Sequence, residues 1–375
     1  MIRKIKRLDY IIFIILACLT VVSTLMIYSA TSNTAYEGMY RSNLILIGVF
    51  CIPLMMVAFI DYRIITRFFS HGLYALGIGL LVFTMYYGVD IYNSKRWVMI
   101  AGVQFQPSEL VKIFVIILLA HLFSKREGEN LRLIKDVIPV GILTLIPVYF
   151  VLKQPDLGTS LVFFGILLGM LWMSNIRMTH MVVFLFILAS VISLVIWLYY
   201  SDTDLLSKMI KPHQMARIQT FLEPTKDPDN SWHVLNSIMA VSTGELSGKG
   251  FLNGYFVQNG FIPVLYSDSI FVVIGEEYGF LGSASLLLLY FILIYRMILI
   301  AMEATDRSGR YIVIGIISMW VVQIFENIGM HIGLLPLTGI ALPFISYGGS
   351  SLLTNMISIG LVLSVRLYQE PTASN

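Results

Sequence analysis

The stretch FIPVLYSDSIFVVIGEEYGFLG, residues 261–282, places three carboxylates at the beginning of a long apolar segment. They belong to Asp268, Glu276 and Glu277. A charged side chain at the centre of a bilayer costs roughly 2.5–3.5 kcal/mol on insertion scales, so it persists mostly where it faces protein or a wet cavity. The stretch therefore predicts a membrane helix that opens at a polar site. Three glycines permit a break near its start: Gly275, Gly279 and Gly282.

The composition is that of a membrane protein. Of the 375 residues, 57% are hydrophobic and 13% are charged, and the mean hydropathy is +0.82. Soluble chains carry about 25% charged residues. Apolar runs of about 20 residues are typical of membrane helices, whereas a β-barrel shows short alternating strands. A water-soluble globule is excluded, and the net charge of +3 gives no indication of nucleic-acid binding.

The apolar runs predict an all-α polytopic membrane protein of about ten helices. The predicted spans are 10–29, 43–60, 72–89, 107–124, 136–152, 157–174, 179–200, 269–300, 311–330 and 347–367. Lysines and arginines near the span ends are more frequent on the side of the N-terminus, which places both termini in the cytoplasm. One long extracytoplasmic loop, 201–267, then joins the seventh and eighth spans of a single domain over 1–375.

Several catalytic motifs are absent from the sequence. It contains no GxxxxGK[ST] phosphate loop, no HExxH and no CxxC. The six histidines do not pair at four-residue spacing, and Cys18 and Cys51 lie inside apolar runs. These absences argue against an ATPase, a zinc protease and a redox enzyme.

Two charges lie inside the fourth predicted span. Glu109 and Lys112 are three residues apart and share one helical face, where they can pair. The pair is either a structural link between spans or the charged wall of a cavity. Both interpretations place it at the outer end of the bundle.

The turn KQPDLGTS, residues 153–160, separates the fifth and sixth spans. Asp156 precedes an apolar run and can cap the sixth helix. Lys153 is either part of this structural turn or a cation that holds an anionic ligand. Further outer cations are Lys95, Arg96, Arg217 and Lys249. Singly these are typical of solvated or headgroup-facing charges, but together they can hold a polyanionic headgroup.

The segment 327–351, NIGMHIGLLPLTGIALPFISYGGSS, carries no net charge and contains the hydroxyls of Ser346 and Ser350. Irregular backbone at membrane depth is tolerated where it is buried in protein or lines a wet cavity. The GGSS sequence can offer backbone amides to an anion at a helix start. The alternative is a tightly packed re-entrant turn, with His331 as an ordinary satisfied polar residue.

Asp268 lies where the long loop meets the eighth span. It can be the N-cap of that helix, an interpretation that is compatible with a second one, that of a reactive acid at the water boundary. Glu276 and Glu277 lie two turns deeper, as structural or cavity-lining groups.

Six motifs in order resemble the SEDS family (shape, elongation, division and sporulation) of polytopic peptidoglycan polymerases. They are RW…QPSELVK at 96–112, QPDLGT at 154–159, RIQTFLEPTKDP at 217–228, GELSGKG at 244–250, SDSIFVVIGEE at 267–277 and GLLPLTGIALPFISYGGSS at 333–351. The resemblance covers essentially the whole chain. The amino-acid sequences of the last motif and of the KQPDLGT hairpin are most similar to those of the RodA (elongation) branch.

This resemblance implies that the chain polymerises the lipid-linked disaccharide-pentapeptide lipid II on the outer face of a bacterial cytoplasmic membrane, with inversion at the donor sugar. The family's essential loop aspartate matches Asp268, and its paired acid and lysine match Glu109 and Lys112. The implied partner is a class B penicillin-binding protein that supplies transpeptidation. The chain departs from the family pattern at Ser267, Ser269, His233, Asn236 and Glu245, which alters the polarity of the cavity.

Such a polymerase needs one base and several cations. The leaving group, undecaprenyl pyrophosphate, is already a stable anion, whereas the acceptor hydroxyl must lose a proton. We expect Asp268 to accept that proton. The groups expected to stabilise the pyrophosphate are Arg217, Lys249, Lys153, Lys112 and a divalent cation such as Mg²⁺ or Mn²⁺. The remaining expected substrate-binding residues are Glu109, Asp156, Glu277, Ser346 and Ser350.

Two other functions stay open. A lipid II transporter would also need polar spans and a cavity, but the unusual polar residues concentrate at the outer span ends. A non-catalytic membrane scaffold for a penicillin-binding protein would leave Asp268 and the glycine-rich turns unexplained.

Overall fold

Helices make up most of the part of the chain that the structure describes. This computed structural model describes residues 8–91, 94–100, 103–126, 130–201, 203–210, 212–224 and 228–369. The helices are α1 Tyr10–Thr31, α2 Met39–Phe59, α3 Tyr62–Tyr87, α4 Pro107–Ser124, α5 Leu133–Lys153, α6 Leu157–Met173, α7 Met178–Ser201, α8 Thr203–Met209, α9 Pro212–Leu222, α10 Pro228–Thr243, α11 Tyr255–Gln258, α12 Ile270–Glu303, α13 Arg307–His331 and α14 Gly349–Leu367. The basic N-terminal residues 1–7 and parts of two family motifs, residues 101–102 and 225–227, lie outside the described residues.

Among the described residues, nine helices are long and apolar enough to cross a membrane: α1 to α5, α7 and α12 to α14. They correspond to nine of the ten predicted spans. The remaining one, α6, is apolar but has 17 residues. At 1.5 Å per residue it is about 25 Å long, shorter than a hydrocarbon core of about 30 Å. The all-α polytopic prediction is therefore confirmed, with α6 as a short member of the bundle.

Residues 89–105 contain three short antiparallel strands that the sequence did not lead us to expect. They are β1 Val89–Ile91, β2 Ser94–Ile100 and β3 Val103–Phe105. Trp97 pairs with Val89, and Val98 pairs with Phe105. Such β-branched and aromatic residues favour strands, but the runs are too short to register in a search for membrane spans. The sheet carries Arg96 towards the start of α6.

Two glycines on α6 allow it to pack closely against α13. Gly165 and Gly169 are four residues apart on one helical face, and a Cβ on either would overlap Val322 or Ser318 of α13. Small residues at this spacing let helix backbones approach inside a membrane. The two helices run antiparallel, so the start of α6 lies beside the end of α13.

The expected break in α12 occurs at Gly279. Its φ of 62° and ψ of −154° lie in a region that only glycine occupies readily. The backbone groups released by the break pair with the glycine-rich segment 245–250. The four bonds are Phe280 N to Glu245 O at 2.9 Å, Leu281 N to Leu246 O at 3.0 Å, Lys249 N to Glu276 O at 2.9 Å and Gly250 N to Glu277 O at 2.9 Å. The GELSGKG motif therefore braces the kink, as irregular backbone in a membrane requires.

The long loop folds back onto one end of the bundle. Its helix α10 packs against α12, and α9 packs against α10. Leu206 of α8 is buried with Leu198 and Tyr199 at the end of α7. These contacts place α9 and α10 over the end of the bundle at which α12 begins.

Candidate active site

A cavity of about 320 Å³ opens between α9, α10, the start of α12 and the segment that follows α13. Among the described residues, the acidic and basic side chains that line it are Asp268 and Arg217. The other lining residues are Ala216, Thr220, Phe221, His233, Val234, Leu335, Pro336, Leu337 and Gly339. The fold thus brings together two charged residues that lie far apart in the sequence and that were both predicted to be functional.

Asp268 is not the N-cap of α12, so that structural interpretation of the residue is wrong. The N-cap is Ser269, and it makes no side-chain capping bond. The Asp268 carboxylate lines the cavity, where its Oδ2 lies 3.6 Å from the position that a Cβ on Gly339 would occupy. The side chain is therefore available to a molecule that enters the cavity.

The main chain at Asp268 is held by two fully buried side chains of α13. Asn327 Nδ2 donates to the Asp268 carbonyl at 2.6 Å and to the Ile340 carbonyl at 2.7 Å. His331 Nε2 lies 3.0 Å from the same Asp268 carbonyl. Since a carbonyl only accepts hydrogen bonds, His331 carries its proton on Nε2. These bonds fix the backbone while leaving the carboxylate to the cavity.

His233 of α10 supports the next residue. Its Nε2 lies 2.9 Å from Ser269 Oγ, and its ring centroid is 6.3 Å from that of His331. Burial lowers the pKa of His233. The imidazole is therefore neutral at physiological pH and forms an uncharged wall of the cavity.

The electrostatics of the cavity suit proton transfer beside an anion. Burial raises the pKa of the Asp268 carboxyl to about 6, against opposition from the backbone N–H groups of Asp268 and Ser269 and from the charge of Arg217. Burial and repulsion by Arg96 lower the pKa of Arg217, while Asp156 and Asp268 act in the opposite direction. An arginine nevertheless stays charged in proteins. The cavity therefore combines a carboxylate of enhanced basicity with a fixed cation.

Arg96 on β2 extends this positive region. Its Nε donates to the Gln154 carbonyl at 2.9 Å and to Ser94 Oγ at 2.6 Å, and its Nη2 donates to the Pro155 carbonyl. Its Nη1 lies 4.0 Å from Asp156 Oδ2. These partners fix the position of the Arg96 guanidinium. Its positive charge repels that of Arg217.

Asp156 acts as the helix cap that its position predicted. Its Oδ1 accepts the backbone N–H of Thr159 at 3.1 Å, and its Oδ2 accepts Gln106 Nε2 at 3.0 Å. A Cβ on neighbouring Gly158 would crowd Ile340 and Thr338. The start of α6 is therefore pressed against the segment that also lines the Asp268 cavity.

Glu109 and Lys112 form the predicted ion pair, with 2.8 Å between Oε1 and Nζ. Both are buried, and Lys112 also interacts electrostatically with Glu326 of α13. Within the described part of the chain, Glu109 Oε2 and both carboxylate oxygens of Glu326 have no hydrogen-bond partner. The pair lies inside the bundle and outside the lining of the Asp268 cavity.

The two predicted serines make structural hydrogen bonds. Ser350 Oγ accepts the backbone N–H of Gln106 at 2.8 Å, which ties the start of α14 to the start of α4. Ser346 Oγ accepts the backbone N–H of Leu342 at 2.8 Å. Both hydroxyls therefore hold the re-entrant segment in place.

Three other predicted substrate-binding residues do not line the cavity. Lys153 is exposed, with its Nζ 5.4 Å from the centroid of the Tyr149 ring. Lys249 is exposed in the segment that braces the kink. Glu277 Oε1 accepts Ser29 Oγ at 2.5 Å and Gln258 Nε2 at 3.2 Å.

The sequence analysis did not single out Asn327, and it interpreted His331 only as a satisfied polar residue, yet both hold the backbone at Asp268. Their spacing of four residues places both on one face at the end of α13, which was the available signal. Nothing in the sequence indicated that this face meets the start of α12. That contact depends on the packing of α13 against α12.

Known proteins share this architecture and sequence. The family described as cell cycle protein, FtsW/RodA/SpoVE, matches residues 8–370. The chain is 32% identical to stage V sporulation protein E of Bacillus subtilis strain 168 over 371 residues, which covers 96% of this chain and 97% of that protein. It is also 32% identical to the peptidoglycan glycosyltransferase MrdB of Escherichia coli K12 over 373 residues, which covers 97% of this chain and 95% of that protein.

A solved structure has the same fold as this chain. It is described as showing structural coordination of polymerization and crosslinking by a peptidoglycan synthase complex. One of its chains superposes with a TM-score of 0.80 at 27% sequence identity and covers 97% of this chain and 99% of its own length. This chain belongs to the FtsW/RodA/SpoVE (SEDS) family of membrane proteins.

Proposed function

We propose that this protein is a peptidoglycan glycosyltransferase that polymerises lipid II and that the cavity between Asp268 and Arg217 is its active site. The main support for the proposal is that the side chains of Asp268 and Arg217 line the same cavity. Relatives named as peptidoglycan glycosyltransferases support the reaction class. The distribution of basic residues near the span ends supports an orientation in which this cavity faces outwards.

Asp268 is the general base in this mechanism. The acceptor sugar hydroxyl donates its proton to the carboxylate as its oxygen attacks the anomeric carbon of the donor. Attack from the side opposite the leaving group inverts the configuration at that carbon. A pKa of about 6 keeps the carboxylate ionised at neutral pH and brings its basicity closer to the working pH.

Arg217 stabilises the pyrophosphate leaving group. The bond from the anomeric carbon to the pyrophosphate oxygen breaks, and its electron pair leaves with the pyrophosphate. Because the pyrophosphate is stable as an anion, a fixed cation replaces the acid that a glycosidase needs. Arg96 adds positive potential behind Arg217.

A divalent cation fits this site only with help from substrate. The described residues contain no group of three or more His, Cys, Asp or Glu side chains that could hold a metal ion. Mg²⁺ is usually held by one or two carboxylates together with substrate phosphates and waters. Because Asp268 is assigned as the base, substrate phosphates and waters would hold the metal, which would neutralise pyrophosphate charge.

The proposed partner is a class B penicillin-binding protein that crosslinks the new strands. A peptidoglycan synthase complex that coordinates polymerization and crosslinking contains a chain of the same fold, which supports this pairing. The elongation branch stays a prediction, since relatives from the sporulation and MrdB groups are equally identical to this chain.

The test is polymerisation of lipid II by the purified protein in liposomes with its penicillin-binding partner. Moenomycin is added to silence contaminating classical transglycosylases. We expect Asp268→Asn to lower the rate by about 10²–10⁴-fold, the usual contribution of a general base, while the protein stays folded in the membrane. Near-wild-type polymerisation by Asp268→Asn would overturn the assignment.

The same liposomes separate this function from the two alternatives. A transporter would move fluorescent lipid II across the bilayer, and neither wild type nor Asp268→Asn would form glycan chains. A scaffold would support neither activity on its own.

A further inference from the structure

A second cavity, of about 400 Å³, lies at the other end of the bundle. It is lined by Arg63, Thr66, Arg67, His121, Ser124, Thr305, Asp306 and Ser308. Helix α13 runs from Ser308 at this cavity to His331 beside Asp268, which at 1.5 Å per residue is about 35 Å. The two cavities are therefore separate sites on opposite faces of the membrane.

Positive groups converge on this second cavity. His121 interacts electrostatically with Arg67, Lys125 and His71, and its ring centroid is 5.3 Å from that of His71. Arg67 is exposed and makes no ion pair with any of the described residues. Such a cluster repels itself until an anion enters it.

Two acidic residues, Asp306 and Asp61, reduce the positive charge of this cluster without cancelling it. Asp306 lines the cavity, where its carboxylate accepts Ser308 Oγ, and Asp61 accepts the backbone N–H of Arg63 at 2.9 Å. Each carboxylate thus already has a donor from its own turn. Counted over the described residues, the three cations Arg63, Arg67 and Lys125 outnumber these two acids, although Arg63 also donates to Tyr62 Oη at 3.4 Å and to the Tyr368 carbonyl at 3.4 Å.

The surface beside Arg67 is apolar. Phe68 and Phe69 are 73% and 56% exposed, and Ile64 is 47% exposed, so these side chains face lipid in a membrane-spanning helix. They belong to the segment around Ile65–Phe69, where α3 becomes a π-helix. Single-turn π-helices are frequent at functional sites because they reorient side chains. Cations and lipid-facing aromatic groups therefore lie next to each other.

We propose that this cavity binds the phosphate group of an anionic phospholipid. Arg67 and Arg63 would contact the phosphate, the cavity hydroxyls would donate to its oxygens, and Phe68 and Phe69 would contact the acyl chains. Basic pockets between membrane helices on the cytoplasmic side bind anionic lipid headgroups in this way. The site is independent of glycan polymerisation, and the orientation of the bundle places it in the inner leaflet.

The test uses the full-length protein in nanodiscs that contain phosphatidylcholine with phosphatidylglycerol as a minor component. Lipids retained after purification are counted by native mass spectrometry. The variant is Arg67→Gln, which removes an exposed cavity cation. The matched control is Arg177→Gln, which removes an exposed arginine before α7 at the same end of the bundle. Thermal unfolding confirms that both variants fold.

We expect wild type and Arg177→Gln to retain phosphatidylglycerol preferentially and Arg67→Gln to retain about fivefold less, the loss expected for one cation near an anionic lipid. A parallel arm uses inorganic phosphate with protein in pure phosphatidylcholine. If phosphate raises the melting temperature of wild type but not of Arg67→Gln, while phosphatidylglycerol is not enriched, the same site takes soluble phosphate instead. Equal retention by all three proteins without a phosphate effect would overturn the proposal.

Discussion

Asp268 and Glu276 are close in the sequence, yet their carboxylates have opposite surroundings. Glu276 is fully buried and accepts the backbone N–H groups of Phe256 at 2.8 Å and Val257 at 3.0 Å. It fastens α11 to the first half of α12. Asp268 is instead fixed through its carbonyl, and its carboxylate shares a cavity with Arg217.

This difference separates structural from reactive acids in a membrane. The Glu276 carboxylate, which accepts backbone N–H groups with both of its oxygens, has little hydrogen-bonding capacity left for a substrate. The Asp268 carboxylate interacts with the backbone N–H groups of its own residue and of Ser269, but it also lines the cavity and stays available to a substrate. At Asp268 the main effect of burial is therefore to raise the pKa of the carboxyl group.

The largest effect beyond Asp268 itself is expected at its cationic neighbour. Arg217→Gln removes the fixed charge beside the pyrophosphate and should lower the polymerisation rate by about 10²-fold, as removal of one preorganised donor does. The matched control is Lys153→Gln, because Lys153 carries the same charge outside the cavity. Initial rates with lipid II measure both. A loss in Lys153→Gln as large as in Arg217→Gln would contradict the assignment of the cavity.

A smaller effect, on stability alone, is expected at Glu276. Glu276→Ala leaves two N–H groups of α11, one buried and one partly buried, without their acceptor and should lower the free energy of unfolding by about 2–3 kcal/mol. Thermal unfolding in detergent, run beside Asp268→Asn, checks this. The comparison breaks down if Asp268→Asn is the more destabilised variant, or if Glu276→Ala unfolds like wild type.

The smallest effect is expected at the histidine that positions Asp268. His331→Phe removes one of the two hydrogen bonds to the Asp268 carbonyl, worth about 1 kcal/mol, and should lower kcat about fivefold with little change in KM. His331→Gln keeps a donor and should recover most of the rate. Kinetics of both variants distinguish positioning from folding. Equal losses in the two variants would show that volume rather than the hydrogen bond matters.

Most of the fold could be predicted from apolar run length alone. In the described part of the chain nine long apolar helices match predicted spans, because a bilayer requires about 20 apolar residues per crossing. The break in α12 was expected from its glycines, although only the packing of the 245–250 segment selects Gly279. The small sheet around Arg96 escaped prediction because its strands are shorter than any membrane signal.

The candidate site could be predicted less completely. Asp268 and the Glu109–Lys112 pair stand out because a charge at membrane depth is rare. Arg217, Lys153 and Lys249 looked alike as loop cations, and only Arg217 lines the cavity. The direction of a loop side chain depends on tertiary contacts such as that between α9 and α10, which local sequence does not encode.

The most direct test of the central claim is the pH dependence of kcat/KM for lipid II polymerisation. A general base works when deprotonated, so the rate should rise with pH and level off above the pKa of Asp268 in the free enzyme. With that pKa at about 6, we predict an ascending limb centred near pH 6 in wild type and no such limb in the residual activity of Asp268→Asn. An unchanged limb in Asp268→Asn would contradict the role of Asp268 as the base.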